Sequence, residues 1–338
     1  MTLAKVAYLT PADGVDTDAH SQAVWEGVQS FVTKKNLTAV NLAPAEDTDA
    51  ARKDAVTRAI ADGANVIVCS GNEYGTVIAG LVKDNPKVRF LLTDAGMKDS
   101  SGKAAVADNV ATITYHEEQA GYLAGYALIA GGYYDIGLAA GEQTPVQLRY
   151  GYGFLQGVDD AAADLNVVDK VYVTYWYANA SAASTESYDE IAHWYSTGTR
   201  AVFCCEGGIV QNVLDAAATA DGGRVIDVET GSGSASDVLL TSATVDMSGM
   251  VADALTKLAD AKGKWPSDLS AKTVNYGVAE NMIGLSTDNW RFDSYSTDDY
   301  RALYDAFKGD TARVSSDITA RPTVSVQVRW KNEPAEGE

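Results

Sequence analysis

The sequence predicts an α/β protein built as two similar lobes, each a largely parallel sheet flanked by helices. Three observations predict it. Short β-branched runs alternate with amphipathic segments almost from end to end, the rhythm of strand–helix–strand units. Runs such as Val66-Ile67-Val68 and Phe90-Leu91-Leu92 are apolar on both faces, as parallel strands buried between helix layers must be. Two landmarks also occur twice. Trp25-Glu26-Gly27-Val28 resembles Leu155-Gln156-Gly157-Val158, and Asp62-Gly63-Ala64-Asn65-Val66-Ile67 matches Thr197-Gly198-Thr199-Arg200-Ala201-Val202. Each of the second pair reads as a helix end, a glycine stop and a buried strand.

In order along the chain, residues 5–10 read as a strand and 19–35 as a helix with apolar positions at Ala23, Val24, Val28 and Phe31. Strands follow at 38–42, 65–70 and 88–93, separated by helices at 48–62 and 74–83. The second set comprises strands at 134–140, 170–176, 200–205 and 224–229, with helices at 149–165 and 187–196. A helix at 246–262, short strands at 273–278 and 282–285, a helix at 297–308 and a strand at 323–330 are too few for a third domain. They fit a chain that crosses back to complete each sheet. Residues 1–114 with 245–278 are expected to form the first lobe, and 115–244 with 279–330 the second. The polar tail, 331–338, is expected to be disordered.

Composition excludes several functions. The formal charge of -20 over 338 residues repels phosphate backbones and anionic lipid, so neither nucleic acid nor a membrane surface is an expected partner. The longest apolar runs are strand-sized, far short of a membrane span. Three cysteines (Cys69, Cys204, Cys205) make no disulfide framework; Cys69 and Cys204 read as buried thiols ending core strands, with a strained Cys204–Cys205 vicinal disulfide as the alternative. His20, His116 and His193 are too scattered to suggest a metal cluster. No metal and no cofactor are expected. Gly231-Ser232-Gly233-Ser234-Ala235-Ser236 imitates a dinucleotide fingerprint but lacks its final glycine. Asp13, Asp16 and Asp18 lack the spacing and the closing glutamate of a calcium loop. No Gly-x-Ser-x-Gly elbow occurs, so the chain is not read as an enzyme.

A more specific pattern lies in Asp13-Gly14-Val15, His20-Ser21-Gln22 and Trp25-Glu26-Gly27, with Phe90-Leu91-Leu92-Thr93-Asp94 further on. Asn109-Val110, Gly121-Tyr122-Leu123-Ala124-Gly125, Tyr152-Gly153-Phe154-Leu155-Gln156-Gly157 and Leu240-Thr241-Ser242 continue it. Together these resemble the basic-membrane-protein family, ABC-transporter binding lipoproteins that include purine nucleoside receptors. The resemblance implies a type I periplasmic-binding-protein fold with a multi-crossover hinge. It implies a base held between aromatic rings in an inter-lobe cleft, ribose hydroxyls held by carboxylates, and delivery to a membrane permease. It also implies an extracytoplasmic, lipid-anchored protein whose export and anchor segment is absent from this chain. A monomer is expected. The chain departs from the family's pattern at His20, Ser21, Glu229 and Val245, which stand where the family has phenylalanine, asparagine, aspartate and a nearby lysine.

Open α/β sheets bind ligands at the carboxyl ends of their strands, which selects the candidate contacts. In the first lobe these are Asp13, His20, Ser21, Tyr74 and Asp94. In the second they are Trp176, Glu206 and Glu229. An aromatic or histidine ring can stack on a base, and a fixed carboxylate accepts hydroxyl donors in charge-assisted hydrogen bonds. Each residue also has a plainer reading: Asp13 and Asp94 as turn or cap residues, His20 and Ser21 as an exposed first helical turn, Tyr74 as packing. An alternative to the importer component is a ligand-sensing ectodomain of the same fold, reading a sugar, an amino acid or a signalling molecule.

Overall fold

The structure is a computed structural model that describes residues 2–16, 19–94, 96–180, 182–205, 207–228 and 236–331. The first segment carries β1 (Lys5–Leu9), α1 (Ala19–Lys35), β2 (Thr38–Leu42), α2 (Asp49–Ala61), β3 (Val66–Cys69), α3 (Tyr74–Ala79), β4 (Arg89–Thr93) and β5 (Val110–Tyr115). Next come α4 (Glu117–Ala130), β6 (Asp135–Ala140), α5 (Pro145–Asp164), β7 (Tyr172–Tyr177) and α6 (Thr185–Thr197). They are followed by β8 (Ala201–Cys204), α7 (Gly207–Thr219), β9 (Arg224–Val228) and β10 (Leu239–Val245). Then α8 (Met247–Asp260) and β11 (Thr273–Tyr276) precede β12 (Ile283–Leu285), α9 (Thr297–Gly309) and β13 (Gln327–Trp330).

The chain divides into two units. One comprises Met1–Tyr115 with Asp246–Tyr276, the other His116–Val245 with Gly277–Glu338. The first holds a six-stranded sheet in the order β11-β5-β4-β3-β1-β2, parallel throughout. The second holds seven strands in the order β12-β10-β9-β8-β6-β7-β13, of which only β12 runs antiparallel, against β10. In each sheet the strand order reverses once, between β1 and β3 and between β6 and β8. All four residues of β3 and of β8 are buried, as their unbroken apolar runs require. Cys69, Cys204 and Cys205 are buried thiols.

Several boundaries differ from the sequence expectation for identifiable reasons. Helix α5 begins four residues earlier than its apolar period, because Thr144 caps Gln147 N and Pro145 occupies the first turn. Helix α3 stops at Ala79, and residues up to 84 continue as turns. β13 is confined to its last four residues, where Val328 and Trp330 pair with Val173 and Tyr175.

At the first crossing between units, His116 precedes α4 and its Nδ1 lies 2.6 Å from Glu118 Oε1. The hydrogen bond to Glu118 raises the imidazole above its ordinary value of 6.5; burial opposes this, and the charges of Glu118, Glu117 and Glu280 add to the rise. A raised folded-state value stabilises fully below the unfolded value and ceases to stabilise as pH climbs through the raised one. The stability advantage of wild type over His116→Gln should therefore be full below about pH 6.5 and shrink as pH rises through the raised value. Urea unfolding of both proteins across that range measures it, and a pH-independent gap would count against the pairing.

Candidate functional site

The strand reversal in the first sheet sets β1 and β3 side by side, each ending in a loop at the same edge. After β1 the chain turns at Pro11–Gly14, with Gly14 N donating to Pro11 O at 3.1 Å. Gly14 has a φ of 92°, a value glycine adopts without penalty. Asp13, at the crest of this turn, is exposed.

The functional geometry centres on Asp94, immediately after β4. Its backbone takes a φ of 73°, a left-handed conformation that aspartate tolerates better than most residues. Ser70 Oγ, Gly71 N and Thr93 Oγ1 donate to Oδ2 at 3.3, 3.0 and 3.0 Å. His20 Nε2, from the first turn of α1, lies 3.1 Å from Oδ2 and 3.0 Å from Oδ1. Burial works against the charge on Asp94. Hydrogen bonds from His20, Gly71 N and Thr93, with the imidazole's charge, outweigh it and hold the carboxyl below its ordinary range. Oδ2 is thus saturated by the protein, whereas among the described residues Oδ1 meets only His20 and keeps acceptor capacity.

Of the candidates in this unit, the structure brings His20 and Asp94 together. Two others are corrected. Tyr74 is fully buried in the core of the unit, and its hydroxyl donates to Thr10 O at 2.8 Å. The ring therefore braces the β1 loop from beneath and offers no face for stacking. Ser21 is 1% exposed, on the face of α1 that carries Val24, Val28 and Phe31 inward. It belongs to helix packing, because one step along a helix turns the side chain about 100° away from His20.

In the second unit Trp176 is half-buried and meets Trp194 of α6 edge-on, ring centroids 5.8 Å apart. Its neighbours point the other way, as alternation along a strand demands. Tyr175 and Tyr177 join hydroxyls at 2.6 Å and line a cavity of about 60 Å³ with Tyr152, Arg321 and Trp330. That space suits water, not a base. Glu206 and Glu229 lie outside the described residues.

The sequence reading missed Ser70 and Thr93, which orient Asp94, and Gln147. Among the described residues, Gln147 Oε1 is buried without a hydrogen-bond partner, three residues into the helix that follows the β6 loop. The Thr144-Pro145 start signal would have included it; the apolar period alone began the helix after it.

The arrangement offers an ionised, pre-oriented carboxylate beside an imidazole at the ligand edge of a doubly wound sheet. A family model described as Bmp, ABC transporter substrate-binding protein PnrA-like, matches residues 4–306. The chain belongs to the Bmp family. BmpA, an ABC transporter nucleoside-binding protein of Lactococcus lactis subsp. cremoris (strain MG1363), is 25% identical over 306 residues, covering 84% of this chain and 82% of that one. An ABC transporter solute-binding protein from Conexibacter woesei DSM 14684 superposes with a TM-score of 0.69 at 18% identity, over 91% of this chain and 96% of the other. AraP, an arabinose-binding protein from Geobacillus stearothermophilus, gives 0.64 at 13% identity, over 84% and 97%. These likenesses fix a type I periplasmic-binding-protein fold. As a Bmp member the chain is a substrate-binding component of an ABC transporter, which implies a small-molecule ligand and a permease partner. The family is extracytoplasmic, and among the described residues no helix is long and apolar enough to cross a membrane.

Proposed function

We propose that this Bmp protein captures a nucleoside, purine favoured, and hands it to its permease. The observation that carries the reading is the free acceptor capacity of Asp94 Oδ1 beside the half-exposed His20 ring. An ionised carboxylate accepts ribose hydroxyls, and an imidazole gives a base a stacking surface. The relationship to a nucleoside-binding protein supports the same ligand. Asp13, Trp176, Glu206 and Glu229 are retained as further contacts. The mature protein is proposed to be lipid-anchored, which palmitate labelling of the native protein in cells checks.

A thermal-shift and calorimetry panel of adenosine, guanosine, uridine, ribose, arabinose and amino acids tests the ligand. Purine nucleosides should stabilise the protein at micromolar concentration, since a ligand that binds only the folded state raises stability in proportion to the logarithm of its concentration over Kd. Failure of all the nucleosides while a sugar or amino acid succeeds would transfer the site to that class.

A further inference from the structure

At the opposite edge of the first sheet, the amino end of β4 borders a cavity of about 650 Å³. Arg89, which begins β4, lies five residues from Asp94, about 17 Å along an extended strand. The cavity is thus separate from the candidate nucleoside site. Its size is that of a small-molecule pocket. Lys83, Arg89 and Lys264 line it together with Trp265 and a single carboxylate, Asp108.

Three of the neutral donors of this wall, on Asn109, Trp265 and Ser270, are already committed. Asn109 Nδ2 serves the carbonyls of Val82, Asn85 and Val88. Trp265 Nε1 donates to Asn109 O at 3.2 Å and Ser270 Oγ to Asp108 O at 3.1 Å. Arg89 spends Nε on Gly263 O and Nη1 on Pro86 O and Val88 O, which leaves Nη2. Burial depresses the guanidinium from its ordinary value. Among the described residues none of these three cations makes a salt bridge, although acids outnumber bases 46 to 26 in the chain.

We propose that this cavity is a second binding site, for a small organic anion whose carboxylate or phosphate group is held by Lys83, Arg89 and Lys264 against Trp265. A neutral hydroxylated molecule finds few side-chain donors there, whereas an anion meets three cations against one carboxylate. Both lysines are exposed, so removing them leaves the core intact.

The test is calorimetric titration of the full chain with citrate, inorganic phosphate and adenosine, each against sodium chloride of matched ionic strength. Wild type should bind citrate or phosphate saturably in the millimolar range or below. The double variant Lys83→Ala/Lys264→Ala should weaken that binding at least tenfold and leave adenosine binding unchanged. Preference for citrate or for phosphate distinguishes the two acidic groups. An anion effect no larger than that of chloride, or one that survives in the double variant within twofold, overturns the proposal. Because adenosine is read at the other edge of the sheet, its failure alone would reflect on the nucleoside reading and not on this one.

Discussion

Replacing Asp94 with alanine should destabilise the first unit by about 3 kcal/mol or more and abolish micromolar nucleoside binding. The carboxylate serves Ser70 Oγ, Gly71 N, Thr93 Oγ1 and His20. Thr93 and Ser70 are 0% and 2% exposed, so little water can replace the lost acceptor. A hydrogen bond to a charged group contributes about 1.5–3 kcal/mol, and stranding a buried donor costs about as much. Alanine at a φ of 73° adds about 1 kcal/mol of backbone strain. Asp94→Asn separates the two consequences, because asparagine accepts positive φ and keeps one oxygen. It should fold nearly as well yet bind a nucleoside at least tenfold more weakly, about 1.4 kcal/mol. Wild-type affinity in Asp94→Asn would show that ribose is held elsewhere. Because the carboxyl lies below its ordinary range, its contribution is present above the unfolded value near pH 4 and is lost as pH falls through the lowered one.

Gly157→Ala should cost the second unit about 3 kcal/mol or more, and much of the expressed protein should be insoluble. Helices α4 and α5 touch backbone to backbone. A Cβ built on Gly157 would lie 2.0 Å from Tyr122 O, and one on Gly153 2.0 Å from Glu118 O. Gly121 and Gly125 meet α5 in the same way, at 2.0 and 2.3 Å. Neither wall is a flexible side chain, so the helices must separate and loosen Phe154, Leu155 and Val158, all fully buried. Gly309, at the end of α9, has open space around it. Gly309→Ala should therefore be neutral or slightly stabilising, since alanine is the better helix former. Thermal midpoints of the two variants compare them directly, and a Gly157→Ala midpoint equal to wild type would refute the close approach.

Much of this fold could be read from periodicity, because buried parallel strands have few sequences available to them. β3, β4 and β8 announced themselves as unbroken apolar runs. β5 and β10 did not. They end in polar or mixed residues, Thr114-Tyr115 and Thr244-Val245, and were noticed only as fragments of a family pattern. The glycines of that pattern carry the family resemblance, and at Gly153 and Gly157 they record how closely two helices lie. The site was legible in position but not in direction. A strand end locates Tyr74, and a helix start locates His20 and Ser21. Which of them points outward depends on how each helix is rotated against the sheet, and local sequence does not encode that. Nor does any local signal join His20 to Asp94, 74 residues later; only the order β4-β3-β1 does so.

The first sheet carries one further consequence, for biosynthesis. β5 pairs with β11 in the register Thr112 to Thr273, and α1 rests on α8, with Gly27 against Ser248 and Val251. A ribosome that has just finished residue 245 has made most of this unit's core and none of the pieces that close it. The nascent chain then exposes a bare strand edge and a bare apolar helix face while residues 116–245 of the second unit are being synthesised. The part of this unit made first must therefore wait for β11 and α8 before its sheet edge and helix face are covered.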